Sequence, residues 1–390
     1  MALPAHPRPY THAHRPMVMP VTQKSPSLPP GSAWVHRVRR TLLAWYRRHR
    51  RALPWRNARD PYAIWVSEIM LQQTQVRTAE PYFRRFLQHL PTVHALAEAS
   101  EDDLLRLWEG LGYYSRVRAM RRAAQVLVEQ RGGRLPADAA SLRKLPGIGP
   151  YTAGAISSIA FGRPEPAVDG NVTRVLCRLR SLSGDPSRAP LREELWGLAG
   201  RLVPSQRPGD FNQALMELGA TVCRPTRPAC NRCPLERECL GAAQGLAAAL
   251  PVKQQRPSTR RIREAAALIR RRGRWLLVQP GAEEPRWAGL WQFPFAQVDE
   301  TDDPSRVLQS AVTAQVGLHA AVGDCAVSLS YAVTRYLVRL EAFRCAVGPG
   351  RARPGRSGAV RWANGDELSL LAMPAPHRKI AYRLAQGTSR

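Results

Sequence analysis

Residues Leu145-Pro-Gly-Ile-Gly-Pro-Tyr-Thr-Ala153 form a short Gly/Pro-rich turn between two stretches of helical pattern. Gly147 and Gly149 permit a tight turn whose backbone N–H groups point outward where the following helix begins. Such a nest of amides, together with the helix dipole, binds a phosphate group without reading base sequence. The turn therefore predicts a helical hairpin that contacts phosphate, although a Gly-rich turn alone also fits a plain interhelical loop.

The chain on both sides of this turn is helical in pattern. From Trp34 to about Leu240, stretches rich in Leu, Ala and Arg are broken by Pro and Gly, and strand-like alternation is nearly absent. We expect a helical domain at residues 32–240. It follows a disordered tail at residues 1–31, which holds eight prolines and lacks the apolar segment of a secretory signal.

The pattern changes after an Ala-, Pro- and Arg-rich stretch at residues 241–263, which we expect to be a linker. The remainder, residues 264–390, is predicted to be a smaller α+β domain. Its expected elements are strands at Ala265–Ile269, Trp275–Gln279 and within Val327–Phe343, a hairpin turn at Arg272-Gly273-Arg274, and one helix at Ser305–Val316.

The charge of the chain indicates a polyanionic partner. Among 390 residues, 58 Lys plus Arg stand against 30 Asp plus Glu, giving a net charge of +28, and nearly all of the basic residues are arginine. A GC-rich genome explains the arginine preference as well as function does, but an excess of this size makes nucleic acid the first expectation. No apolar run approaches the roughly 20 residues of a membrane-spanning helix, so we expect no membrane partner.

Four of the seven cysteines are crowded into one loop. Cys223, Cys230, Cys233 and Cys239 are separated by six, two and five residues. Zinc ribbons favour two short Cys-x2-Cys pairs, whereas one uneven loop suits the larger [4Fe–4S] cube, so the spacing favours an iron–sulfur cluster in a reducing compartment. The cluster would act as a rigid frame that presents the loop arginines to phosphate, and electron transfer is the alternative role.

One carboxylate lies in an apolar helical pattern. Residues Ile64–Val76 are predicted to form one helix in which apolar side chains bracket Glu68, while Gln72 and Gln75 extend a narrow polar strip. Burial of this kind raises a carboxyl pKa, as a general acid requires. A buried Glu68 satisfied by a neighbouring arginine is the structural alternative.

A second carboxylate, Asp169, precedes the predicted helix Val172–Leu179. The helix dipole should keep Asp169 ionised and so lower its pKa, whereas burial should raise the pKa of Glu68. Such a pair combines a general acid with a carboxylate that stabilises positive charge. The alternative is a plain helix cap in the Asp-Gly-Asn turn.

Several motifs together resemble those of the MutY-type adenine DNA glycosylases, of the helix-hairpin-helix base-excision superfamily, which remove adenine mispaired with 8-oxoguanine. The resemblance runs from about Trp34 to Arg390. It is carried by the hairpin LPGIGPYTA (145–153), LPWR (53–56), WVSEIMLQQTQV (65–76), LGYYSR (111–116), VDGNV (168–172) and the cysteine loop.

The resemblance implies a role for each matching residue. Glu68 would protonate adenine N7, and Asp169 would stabilise the oxocarbenium-like sugar, helped by Asn171 and Tyr151. The flipped adenine would meet Trp55, Arg56 and Gln213. The residues that wedge into the base stack would be Gln73, Leu111 and Tyr113, and the DNA phosphate would meet Gly147 and Gly149.

Tyr151 stands where the related endonuclease III-type enzymes carry a lysine that forms a Schiff base and cleaves the strand. Tyrosine cannot form that adduct, so the sequence predicts a monofunctional hydrolase. Lys144 lies nearby in sequence and leaves weak lyase activity open.

The C-terminal domain resembles the Nudix-like domain that reads 8-oxoguanine in this family, through Gly289-Leu-Trp-Gln-Phe-Pro294. A Nudix hydrolase needs glutamates on its helix to hold Mg²⁺, but Ser305–Val316 contains no acid, so the domain should bind rather than hydrolyse. Ser330 is the nearest equivalent of the family's lesion-reading Ser or Thr, and Tyr331 replaces the usual His. A plain amphipathic strand is the alternative.

Taken together, these features predict a monomeric bacterial repair enzyme, cytoplasmic and associated with the nucleoid, with an all-α glycosylase domain, a [4Fe–4S] cluster and a Nudix-like domain. Its partner would be duplex DNA with adenine opposite 8-oxoguanine or guanine. Two rivals remain: an endonuclease III-like glycosylase/lyase, which Tyr151 disfavours, and a non-enzymatic iron–sulfur DNA-binding or redox-sensing protein, which Glu68 and Asp169 disfavour.

Overall fold

The structure is a computed structural model that describes residues 31–56, 58, 60–252, 258–281, 284, 286–333, 335–355 and 358–387. The expected disordered tail, apart from Gly31, and part of the expected linker lie outside these residues. Among the described residues, no helix is long and apolar enough to cross a membrane.

The first part of the chain is helical, as the sequence predicts. The 3₁₀ turns lie at Pro54–Arg56, Cys230–Arg232 and Glu236–Glu238. The helices are α1 (Ser32–His49), α2 (Pro61–Leu71), α3 (Val76–His89), α4 (Val93–Glu98), α5 (Glu101–Trp108), α6 (Ser115–Arg131), α7 (Ala139–Leu142), α8 (Pro150–Phe161), α9 (Gly170–Leu179), α10 (Ala189–Leu202), α11 (Pro208–Thr221) and α12 (Leu240–Ala243).

Two apolar cores organise these helices. One is built mainly from α2 to α8 and includes the fully buried Trp65 and Trp108. The other is built from α1 and α9 to α11 and includes Phe211. Because α2 packs on α8, and α11 packs on both α8 and α9, side chains from both cores meet along one seam.

The second part is a mixed sheet with a few helices. Its elements are β1 (Arg260–Arg271), β2 (Arg274–Gln279), β3 (Phe295–Val298), α13 (Pro304–Val316), β4 (Ala320–Val333), β5 (Tyr336–Val347), β6 (Ala359–Ala363), α14 (Gly365–Leu370) and α15 (Ala375–Gly387). The strand order is β4-β5-β1-β2-β6, with β3 also paired to β1. The β1–β5 pair is parallel and the other pairs are antiparallel.

The predicted hairpin and helix of this part are confirmed. Arg272 and Gly273 both have positive φ, +49° and +79°, as a two-residue turn between antiparallel strands requires. Helix α13 spans Pro304–Val316, and the side chain of the preceding residue, Asp303, caps its N-terminus.

The edges of the expected linker are structured. Helix α12 and the first residues of β1 fall within residues 241–263. Arginines at Arg260, Arg261 and Arg263 give the start of β1 the composition of a linker, but their backbone pairs in register with β5 from Tyr336 to Arg339. Strand pairing is set by backbone hydrogen bonds, so exposed charged side chains on the strand do not prevent it.

The two parts pack directly on each other. Leu290 and Ala372 of the second part are buried in the core formed by α2 to α8. Arg118 on α6 donates to the carbonyl of Ala288 and pairs with Glu101 at 2.7 Å. The chain therefore forms a helical half and a sheet-containing half that share part of a core.

Candidate active site

A cavity of about 790 Å³ opens along the seam between the two cores of the helical half. Its lining includes Leu53 and Trp55, which belong to one core, and Val168 and Met216, which pack against the other core. The cavity brings together eight of the site residues expected from sequence: Trp55, Arg56, Glu68, Gln73, Tyr151, Asp169, Asn171 and Gln213.

Glu68 lies in the middle of a buried helix. Asp60 is the N-cap of helix α2, and its side chain accepts a hydrogen bond from the Tyr62 amide; Pro61 occupies the first helical position. Residues 62–70 are all buried, and Glu68 itself is 5% exposed. The helix therefore carries one carboxyl into an apolar environment, with only the cavity side available to a ligand.

The environment of Glu68 confirms the predicted direction of its pKa. The pKa of Glu68 is raised to about 7: burial is the main cause, the hydrogen bond from Tyr151 offsets part of the rise, and the nearby Asp169 carboxylate adds to it. The Tyr151 hydroxyl donates to Glu68 Oε2 at 2.5 Å. Among the described residues no arginine pairs with Glu68, so the alternative of an arginine-satisfied buried glutamate is wrong. Near neutral pH, Glu68 can hold or release its proton.

Asp169 caps helix α9, which spans Gly170–Leu179. Its carboxylate accepts from the Val172 amide at 2.7 Å and from Asn171 Nδ2 at 3.0 Å. Burial nevertheless raises the pKa of Asp169 above its usual value, and these hydrogen bonds only partly offset that effect. The prediction that the two carboxyl pKa values are shifted in opposite directions is therefore wrong, because desolvation outweighs the helix terminus at Asp169.

Glu217 is a cavity residue that the sequence reasoning missed. It is 1% exposed and accepts from Arg51 Nη2 at 2.7 Å and Arg56 Nη2 at 2.6 Å. Burial raises the pKa of Glu217, but the hydrogen bonds from Arg51 and Arg56 outweigh burial and hold it at about 2. Gln213 and Glu217 are four residues apart on α11 and so share a face, a spacing that would have marked Glu217.

The helix that carries Glu68 is shorter than predicted, because α2 ends at Leu71 and the next helix starts at Val76. Gln72 and Gln75 therefore do not extend a polar strip along it, and Gln73 adopts a left-handed φ of +59°. The reason lies in Arg116, whose guanidinium donates to the carbonyls of Ile69 and Gln72. Gln73, in this turn, lines the cavity.

The same guanidinium holds a second turn, residues 110–114. Arg116 Nη2 donates to the carbonyls of Leu111 and Gly112, both at 3.2 Å. Gly110, Gly112 and Tyr113 all have positive φ, from +48° to +99°. Leu111 is 6% exposed and Tyr113 is 49% exposed. Neither is among the described residues that line the cavity, so their wedge role stays a prediction.

The Gly/Pro-rich hairpin joins α7 to α8. Gly147 has a φ of +77°, and a Cβ there would lie 2.7 Å from the Cβ of Ala119. Gly149 is the N-cap of α8, where no side chain caps the helix. The first-turn amides of α8 thus lack a side-chain acceptor, which is the arrangement expected of a phosphate site.

The four loop cysteines line one small apolar cavity. Arg178 donates to Cys223 Sγ at 3.2 Å and to neighbouring carbonyls. Burial raises the pKa of the Cys233 thiol to about 12. Within the described residues no group of three or more His, Cys, Asp or Glu is placed to hold a single metal ion. Four thiols in one loop are a donor set that either a [4Fe–4S] cluster or zinc can use.

Ser330 and Tyr331 lie on opposite faces of β4. Ser330 is exposed and lines a cavity of about 350 Å³ together with arginines such as Arg261 and Arg339. Tyr331 turns inward, where its hydroxyl donates to Glu264 Oε2 at 2.7 Å. Tyr331, which stands where the resemblance leads us to expect His, therefore makes an internal hydrogen bond, while Ser330 is exposed.

Comparisons with known proteins agree with this architecture. One family model, described as HhH-GPD superfamily base excision DNA repair protein, matches residues 66–201, and a NUDIX domain model matches residues 265–383. Human adenine DNA glycosylase is 53% identical over 210 residues, 52% of this chain and 38% of that protein. The adenine DNA glycosylase of Buchnera aphidicola subsp. Schizaphis graminum is 35% identical over 254 residues, 65% of this chain and 73% of that protein.

The chain spans less than half the length of the mammalian relatives it matches. Among solved structures, a thermostable thymine-DNA glycosylase shares 28% identity at a TM-score of 0.50, over 54% of this chain and 98% of that one. This similarity supports the fold of the helical half.

Proposed function

The chain belongs to the adenine DNA glycosylase family, and we propose that it acts in base excision repair by hydrolysing the N-glycosidic bond of adenine mispaired with 8-oxoguanine or guanine in duplex DNA. One observation carries the proposal: a buried carboxyl of pKa about 7 shares a cavity of about 790 Å³ with a second carboxylate. Near neutral pH, this pairing supplies both a proton donor and an anion.

In the proposed reaction, Glu68 gives its proton to N7 of an adenine flipped into the cavity. The bond from C1′ to N9 then breaks and its electron pair leaves with the base. The Asp169 carboxylate stabilises the positive sugar. A water molecule then adds to C1′ and loses a proton to the Glu68 carboxylate, which restores the acid. Asn171, hydrogen-bonded to Asp169, helps to orient that carboxylate and the water.

The proposed recognition of adenine uses the edge of the cavity near α11. Gln213 and Arg56 supply hydrogen-bonding groups beside the base, and Glu217 fixes Arg56. Trp55 is 7% exposed and packs edge-to-face on Phe83, which gives the cavity a rigid apolar wall. Gln73, Leu111 and Tyr113 would fill the space that the flipped base leaves.

We propose a monofunctional hydrolase because Tyr151, not a lysine, faces Glu68. A phenol cannot form the imine that strand cleavage requires. Lys144 is exposed in the hairpin and is not among the described residues that line the cavity. It would therefore contribute at most weak strand cleavage.

We propose that a [4Fe–4S] cluster is held by four cysteines that line one cavity, Cys223, Cys230, Cys233 and Cys239. When bound, it would supply a rigid frame for the loop; electron transfer is the other role open to it. Replacing Cys230 with Ser should lower iron content and the stability of the helical half. The matched control is Cys325→Ser, since Cys325 is exposed and lies on β4. Equal iron in both variants and the wild type would contradict the assignment.

The sheet-containing half is proposed to read 8-oxoguanine without hydrolysing a nucleotide. Helix α13 contains no acidic residue, so it lacks the glutamates that hold Mg²⁺ in Nudix hydrolases. Ser330, beside a cavity with several arginines, is the proposed lesion contact, while the amides of Gly147 and Gly149 would bind a DNA phosphate. We further propose a monomer acting at the bacterial nucleoid, where its duplex substrate lies.

One assay separates this function from its rivals. The protein is incubated with a duplex that contains adenine opposite 8-oxoguanine, and half of each sample is then treated with alkali. Breaks at the adenine that appear only after alkali support a monofunctional glycosylase. Breaks without alkali favour a lyase. If neither sample shows breaks, both the glycosylase and the lyase functions are contradicted.

A further inference from the structure

Glu109 connects the sheet-containing half to the 110–114 turn. It is the C-cap residue of α5 and directly precedes Gly110. Its carboxylate accepts from Arg378 Nε at 2.7 Å, from Arg378 Nη2 at 3.0 Å and from the Met373 amide at 3.1 Å. Both partners belong to the sheet-containing half, so a single carboxylate receives three hydrogen bonds across the interface.

This contact is enclosed and geometrically fixed. The side chains of Glu109 and Arg378 are 17% and 11% exposed. Arg378 also donates to the carbonyls of Leu368 and Leu371, which hold the guanidinium in one orientation. A bidentate pair with low exposure is stronger and more directional than a surface ion pair.

The residues after Glu109 have little freedom to absorb a displacement. Gly110 has a φ of +99°, and a Cβ there would collide with the hydroxyl of Tyr82. At the far side of the turn, Arg116 binds the carbonyls of Leu111 and Gly112 and those of Ile69 and Gln72. A continuous chain of polar contacts thus runs from Arg378, through the turn, to the end of the helix that bears Glu68.

We propose that Glu109 and Arg378 are a specificity-determining pair of positioning residues: they fix the 110–114 turn against the half that reads the opposite base. This inference rests on the proposed function. Breaking the pair would leave the halves docked through Leu290 and Ala372 but would let the turn shift. Excision would then depend less on which base lies opposite adenine.

The test compares Glu109→Gln, Arg378→Gln and the double variant with the wild type. The matched control is Glu80→Gln, which breaks the exposed Glu80–Arg84 pair on α3. Single-turnover excision is measured on duplexes with 8-oxoguanine or guanine opposite adenine. We expect the ratio of the two rates to fall about tenfold in each single variant, no further in the double variant, and not in the control. The alkaline limb of the pH profile should stay in place because Glu68 is untouched.

An unchanged ratio in Glu109→Gln, or single effects that multiply in the double variant, would overturn the proposal. Hydrogen exchange of the free protein gives a readout that does not depend on the reaction. The Leu111 amide, bonded to the Trp108 carbonyl, should exchange at least fivefold faster in Glu109→Gln and not in Glu80→Gln. If the wild type excises no adenine, the proposed function fails, and this exchange result alone decides for or against the positioning pair.

Discussion

At the scale of single residues, the acid–base pair sets a pH dependence. In the proposed reaction, excision requires protonated Glu68, whose pKa is about 7, so the rate should fall as pH rises through about 7. It also requires ionised Asp169, whose pKa is raised by burial, so an acid limb should lie above the usual aspartate range. Single-turnover rates from pH 4 to 9 measure both limbs.

Tyr151→Phe tests the assignment of the alkaline limb. The hydroxyl of Tyr151 donates to Glu68 and lowers its pKa. Removing that donor should raise the pKa of Glu68 and move the alkaline limb to higher pH. A limb that stays in place, or moves to lower pH, would show that another group produces it.

Glu217 makes a separate prediction about stability. Its folded-state pKa of about 2 lies below the ordinary glutamate value of 4.5, so its contribution to stability is present above pH 4.5 and is lost as pH falls through 2. Glu217→Gln should lower the free energy of unfolding at pH 7 by about 3 kcal/mol, because Arg56 loses its buried partner. Urea unfolding measures this change.

The control for Glu217 is Glu80→Gln, since Glu80 belongs to an exposed ion pair and should change stability little. The deficit of Glu217→Gln should also shrink between pH 4.5 and pH 2. Equal unfolding free energies for Glu217→Gln and the wild type at pH 7 would mean that the pair does not stabilise the fold.

At the scale of elements, the hairpin turn carries a prediction about DNA affinity. Gly147→Ala places a Cβ 2.7 Å from Ala119 in a left-handed backbone, so the turn must move. Duplex affinity should fall at least about fivefold for any base sequence, because phosphate contacts carry no sequence information. The control is Gly132→Ala, because Gly132 is also left-handed but a Cβ there would meet open space. This variant should lose a similar free energy of unfolding, about 1 kcal/mol, from backbone strain while its duplex affinity stays unchanged. Equal duplex affinities of the two variants would mean that the hairpin is not part of the DNA interface.

Local sequence patterns predicted most of the helices and strands. Where those predictions were wrong, the reason is a contact between residues far apart in the chain. The Arg272-Gly273 turn and the acid-free helix α13 follow from residues within a few positions of each other. The end of α2 does not, because it is decided by Arg116, more than 40 residues away, which takes the carbonyls of Ile69 and Gln72. A helical period cannot reveal a competing donor from another element.

The same limit applied to the site. Glu68 could be identified because its own helix buries it, which a local pattern predicts. The raised pKa of Asp169 could not be predicted, since its burial comes from the packing of separate helices around the cavity. The spacing from Gln213 could have placed Glu217 at the cavity, but its pairing with Arg51 and Arg56 could not be predicted, because those arginines lie about 160 residues earlier in the chain.

At the scale of the whole molecule, the net charge of +28 indicated nucleic acid but could not indicate how the two halves meet. Leu290 and Ala372 enter the core of the helical half, and Glu109 binds Arg378 across the interface. The half that would read the lesion is therefore joined to the half that would remove the base through both apolar and charged contacts.

The most direct test of the central claim is a comparison of Glu68→Gln with the wild type on a duplex containing adenine opposite 8-oxoguanine. Glutamine keeps the size of the side chain but cannot donate a carboxylic proton. Duplex binding should be unchanged, and single-turnover excision should fall at least about a thousandfold at pH 7. Full excision by the variant, alongside intact binding, would contradict the role of Glu68 as the acid.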